Sequence, residues 1–116
     1  MKDLLKAVQL TTDTTFNYQT GTRQRSYLEI NNDCLHDLMK LLGAKTFAVH
    51  VVIISNWKNP NGLPSGKEIA EITELSVREV QSAVYTLLNL KIDDIDFYNK
   101  ERLKEKNIHN HTVYHV

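Results

Sequence analysis

Arg78, Gln81, Ser82, Tyr85, Thr86 and Asn89 follow one another at short intervals within the segment VREVQSAVYTLLN. Wound into a helix, that segment places them along one arc, while Val77, Val80, Val84, Leu87 and Leu88 define a buried stripe opposite. Such an arc does hydrogen-bonding chemistry rather than bond-making chemistry. Arginine and glutamine can bond the edges of bases, and serine, threonine, tyrosine and asparagine can reach phosphate oxygens.

The elements that must hold this arc are announced by two S-x-x-E boxes, Ser65 with Glu68 and Ser76 with Glu79. In each, the serine hydroxyl accepts a first-turn backbone N–H and the glutamate reaches back to the serine's own N–H, so each box opens a helix. Only Glu74 and Leu75 lie between Thr73 and the second cap. The two helices must therefore meet at a sharp turn, the arrangement of a helix-turn-helix whose second helix enters a DNA major groove. Ile69, Ala70 and Ile72 are expected on the buried face of the first helix, with Leu75 plugging the angle. Glu74 stands where glycine is common, so a left-handed residue there carries a backbone cost and sets an anion near the phosphate path.

Upstream, AKTFAVHVVIISNW (44–57) is apolar almost all round and is read as the central helix, because the tandem helices need a third to bury their faces. His50 within it is read as a core histidine. KNPNG ends that helix, and Leu63 is a candidate bridging strand before Pro64. Asn32 or Asp33 is expected to cap a further helix over Cys34–Leu42, with Leu35, Leu38, Met39 and Leu42 buried and Gly43 as its stop. The N-terminal region alternates Val8 and Leu10, Phe16 and Tyr18, then Tyr27, Leu28 and Ile30 around QTGT, a β-hairpin pattern. Arg23 and Arg25 follow its turn and are read chiefly as solubilising.

Downstream, Ile95 and Phe97 alternate with Asp94 and Asp96, which predicts a strand over Lys91–Tyr98, and His111–Val116 reads as a second. Lys100, Arg102, Lys104 and Lys106 would then lie at the tip of a wing and touch phosphates, with Asp93, Asp94 and Asp96 at its base. The expected class is α+β: a winged helix-turn-helix, with a three-helix core plus β-hairpin wing, and an extra N-terminal β-hairpin and helix. The expected organisation is a hairpin extension over 1–31 and a winged-helix domain over 32–116, with helices about 33–42, 44–57, 66–73 and 77–89 and a wing about 91–116.

The T-x-x-T-x-x-N-x-Q-T-G hairpin, G-A-K-T-F-A-V-H-V-V-I-I-S-N helix, N-P-N-G loop and S-x-x-E-I-A-E-I-T-E-L-S-V-R-E-V segment together resemble the winged-helix domain of replication initiators. Those are the RepL-type and DnaD-like proteins from plasmids and phages of Gram-positive bacteria. The likeness covers roughly 21–92, and its E-I-A-E-I-T-x-L-S-x-R-x-V part is shared with many winged-helix regulators. It implies DNA binding at an origin or operator through Ser76–Asn89, in a cytoplasmic bacterial protein, and does not imply catalysis.

Composition narrows the other classes. Among 116 residues, 14 Lys+Arg balance 14 Asp+Glu, so attraction to DNA must come from local charge placement. One cysteine, Cys34, rules out an internal disulfide and suits a reducing compartment. Phe47–Ile54 is far shorter than the ~20 apolar residues of a membrane span. His109-Asn110-His111 lacks the apolar centre of a relaxase metal clamp, and Gly21, Gly43, Gly62 and Gly66 are too scattered for a phosphate loop. No catalytic residue, metal or cofactor is expected. The expected partners are double-stranded DNA, a second copy in a homodimer, and a protein of the replication machinery. A transcriptional regulator on the same fold, or a winged helix whose exposed arc binds protein, are the alternatives.

Overall fold

The computed structural model describes residues 2–17, 21–106 and 112–114. After a 3-10 turn over Lys2–Lys6, which the sequence does not announce, the Thr-rich alternating region forms two long antiparallel strands, β1 (Val8–Asn17) and β2 (Gly21–Ile30). Their register runs from Val8 opposite Ile30 to Asn17 opposite Gly21 without a bulge.

Helices α1 (Asn32–Leu42), α2 (Ala44–Ser55), α3 (Gly66–Thr73) and α4 (Val77–Asn89) follow. The cap of α1 is Asn31, not Asn32 or Asp33. Asn31 is the residue with extended backbone, so its side chain is free to accept from Asp33 N at 3.0 Å, whereas the next two are already in the helix. The inward stripe of α1 is Cys34, Leu38 and Leu42, an i, i+4, i+8 row; Leu35 is half-buried and Met39 exposed, a correction to the expected face. Gly43 alone joins α1 to α2. Its φ of 81° and its N–H bond to Met39 O at 2.8 Å end one helix, and its carbonyl accepts the first bond of the next from Phe47 N at 2.9 Å. Nothing crowds a Cβ there, so the requirement is conformational rather than steric.

Apolar character around α2 makes it the pillar of the molecule. Val49 and Ile53 are fully buried and join Leu38, Ile69, Val80, Val84 and Leu87 in one core, to which Leu4, Ala7 and Val8 also belong. Leu63 is buried but forms no strand.

After α4 the chain departs from the expected wing. Two-residue strands β3 (Lys91–Ile92) and β4 (Ile95–Asp96) pair around Asp93 and Asp94, both with positive φ (52° and 66°). That is a two-residue primed turn, whose twist matches the strands and closes the hairpin at once. Phe97 and Tyr98 then turn towards α2, Asn99 accepts from the N–H groups of Glu101 and Arg102, and Lys100–Lys104 winds into the short helix α5 with Leu103 buried. The single strand expected over Lys91–Tyr98 and the charged wing loop are therefore replaced by a hairpin and a helix. Thr112–Tyr114, expected as strand, is a 3-10 turn. His109, His111 and His115 lie outside the described residues, as does Tyr18. The class is α+β, with two separate two-stranded antiparallel sheets among the described residues.

Candidate nucleic-acid interface

The head of α4 is built by its own sequence. Ser76 Oγ accepts from Glu79 N at 3.1 Å, and the Glu79 carboxylate accepts from Ser76 N at 3.1 Å, a complete capping box. Glu79 also pairs with the Lys45 ammonium on the first turn of α2. That lysine, with the Ser76 bonds, holds the Glu79 carboxyl below its ordinary range. The α3 box is different: Ser65 Oγ accepts from Glu68 N but donates to the Glu68 carboxylate, so only half of the reciprocal pattern is made. Glu74 closes α3 with φ 61° and ψ 24°, the left-handed conformation that its position demands.

Val80, Ala83, Val84, Leu87 and Leu88 anchor α4 in the core. Arg78, Gln81, Ser82, Tyr85, Thr86 and Asn89 are all exposed, Tyr85 by 62%. They are not equally available. Thr86 Oγ1 donates to Ser82 O at 3.1 Å and Asn89 Nδ2 to Tyr85 O at 2.8 Å, so both are turned back onto their own helix. Ser76 is committed to its cap. Arg78, Gln81, Ser82 and Tyr85 remain as the presented row. Two residues assigned to the buried face are exposed instead, Ile72 by 61% and Val77 by 41%. In α3 the inward face is Ile69 with Ala70 and Thr73, which leaves Ile72 outside. Val77 is the first residue of α4 and precedes its packed turns.

The basic residues Lys100, Arg102, Lys104 and Lys106 are not brought beside that row at the tip of a wing. They belong to α5 and its exit. Lys106 Nζ donates to Trp57 O at 2.6 Å and lies 4.8 Å from the centroid of the Trp57 ring, so it caps the far end of α2. Lys45, near the α4 cap, lies in the first turn of α2 and Trp57 just past its end, with roughly 15 Å of helix between them at 1.5 Å per residue. Lys100, Arg102 and Lys104 are exposed. The tip that does project after α4 is acidic, Asp93 and Asp94, with exposed Ile95 beside them.

Two contacts have no signal in the sequence, although the core placement of His50 does. Lys45 is the cation set against the head of α4. His50, buried in α2, bonds Tyr98 Oη through Nδ1 at 2.7 Å and stacks at a tilt on Phe97 at 4.9 Å. Burial pushes the imidazole down to about 4 and the Tyr98 phenol well up, so His50 is neutral near pH 7. With Leu5, Trp57 and Arg102 these side chains line a cleft of about 180 Å³. Among the described residues no group of three His, Cys, Asp or Glu side chains could hold a metal ion, and no helix is long and apolar enough to cross a membrane.

Comparison of the chain with protein-family models, with curated proteins and with solved structures gives no match.

Proposed function

We propose that this chain is a winged-helix module that binds duplex DNA by laying α4 in the major groove. The observation that carries the reading is the contrast across α4: one side is locked into the core by five buried residues, and the other holds Arg78, Gln81, Ser82 and Tyr85 exposed behind a rigid capping box. A reading helix needs both a fixed orientation and a free polar face. The hairpin β3–β4 stands where a wing would, but its acidic tip keeps it off the phosphates. Backbone contacts then fall to cations near α4, with Lys45, exposed although paired with Glu79, the first candidate. The resemblance to plasmid and phage initiators supports a role in replication initiation of a mobile element, in the cytoplasm; a transcriptional regulator would use the same surface.

The test is binding to duplex DNA as salt is raised. Each phosphate contact steepens the slope by ~0.9 log units per decade of salt, and Arg78→Ala should weaken binding by about 1–3 kcal/mol where the arginine grips a guanine. Absence of any duplex binding at low salt removes this function. A protein-binding role then follows from specific features: the exposed Ile72 and Val77 at the α3–α4 corner, rimmed by Glu71 and Glu74.

A further inference from the structure

β2 is an outer strand guarded against pairing only by charges of both signs, Arg23, Arg25 and Glu29. It runs ten residues without a bulge, contains neither proline nor lysine, and among the described residues has β1 as its one substantial neighbour, while β1 itself packs on α2. Arg25, Ser26, Tyr27, Glu29 and Ile30 are exposed. Natural edges of this length are normally blunted by bulges, charges or a covering element. A lone two-stranded hairpin is moreover marginal in water. Ten-residue strands extend ~34 Å, and the radius of gyration of 15.2 Å exceeds the about 13 Å of a compact chain this size. The hairpin is thus an arm whose outer edge calls for a strand.

We propose that the strand is β2 of a second copy of this chain, paired antiparallel about a two-fold axis at Tyr27. The charges choose this occupant and this register. Arg25, Tyr27 and Glu29 alternate on one face of the strand; within the hairpin Arg25 stands opposite Asp13 and Glu29 opposite Gln9, and neither Arg25 nor Glu29 makes an ion pair among the described residues. With the axis at Tyr27, Arg25 stands opposite Glu29 of the partner subunit, and the reciprocal pair forms on the other side of the axis. Directly opposed unlike charges stabilise a ladder and like charges weaken it. An axis at Arg25 would oppose two arginines. β1 offers nothing comparable, since Asp13 is its one charged residue. The result is a four-stranded sheet joining two subunits, with paired tyrosines at its centre flanked by two ion pairs. It rests on the arm alone and is tested without DNA, so its failure leaves the reading of α4 untouched.

The experiment uses the whole chain in sedimentation or light scattering at micromolar concentration. Wild type should have twice the chain mass. Arg25→Glu and Glu29→Arg should each be monomeric, because each opposes like charges twice, with circular dichroism unchanged. Mixed in equal amounts, the two variants should recover the dimer. On one side of the axis the glutamate introduced at position 25 meets the arginine introduced at position 29. On the other side the native Glu29 of the first variant meets the native Arg25 of the second. No contact within one chain can produce that rescue. A monomeric wild type overturns the proposal, as does a dimer indifferent to Arg25→Glu. Loss of the dimer in Arg23→Glu with Arg25→Glu silent would displace the axis and overturn this pairing too.

Discussion

The Glu79 carboxylate holds Ser76 N–H and the Lys45 ammonium at once, so the cap of α4 is also the tie between α4 and α2. One side chain therefore serves two elements at the head of the presented row, whose orientation the buried residues of α4 fix. Ser76→Ala should cost about 1 kcal/mol of stability, the usual loss of an N-cap, and Glu79→Ala should add little to it when the two are combined, because they share one motif. Urea denaturation of the single and double variants checks this; full additivity would mean that the tie to Lys45 acts on its own. Since the Glu79 carboxyl is held below its ordinary range, its contribution is present above the ordinary carboxylate pKa and fades as pH falls through the lowered value.

Glu74 occupies a left-handed conformation that costs a residue with a Cβ. Glu74→Gly should therefore stabilise the chain by about 1 kcal/mol, with a rise in Tm read by calorimetry. The same change removes an anion from the α3–α4 corner, so duplex binding should hold or improve. A lower Tm would show that the glutamate side chain makes a compensating contact.

Lys104 and Lys106, two residues apart, should behave differently. Lys106→Ala removes a hydrogen bond to Trp57 O and a cation–π contact and should destabilise by about 1 kcal/mol. Lys104→Ala should stay within about 0.5 kcal/mol, as exposed substitutions do. Thermal melts of the pair decide it. Equal, negligible effects would place Lys106 in solvent.

His50 imposes an acid limit. Its folded pKa of about 4 lies below the ordinary 6.5, so the unfolded chain binds the proton first as pH falls. The stability that its neutrality provides is whole above about 6.5 and is lost progressively down to about 4, a total on the order of 3 kcal/mol at 1.36 kcal/mol per unit. Urea midpoints measured at pH 7 and pH 4.5 should differ more in wild type than in His50→Phe. The same difference in both would assign the acid sensitivity to other groups.

Helix starts and stops are legible because they are local. A serine three residues before a glutamate, a glycine between two apolar runs, and an all-round apolar segment act within one turn of chain, and α2, α3 and α4 begin where those signals put them. The long hairpin is legible for a similar reason: alternation and a glycine turn determine register from neighbours alone. The region after α4 is not. Its alternating apolar residues read as one strand, but Phe97 and Tyr98 are drawn off by His50 and Trp57, 40 and more residues earlier in the chain.

What the sequence by itself determined, then, is the order and type of the hairpin and of α1 to α4, and which polar residues share the exposed arc of α4. Tertiary structure alone decided which of them are available. Nothing near Lys106 in the sequence reveals that its ammonium is bound to Trp57, 49 residues away, and nothing near Glu79 reveals Lys45. Caps and turns are interactions between neighbours, whose geometry the backbone dictates. Charge placement and burial depend on what the folded chain brings alongside, and for this protein that separated the cations of α5 from the face of α4.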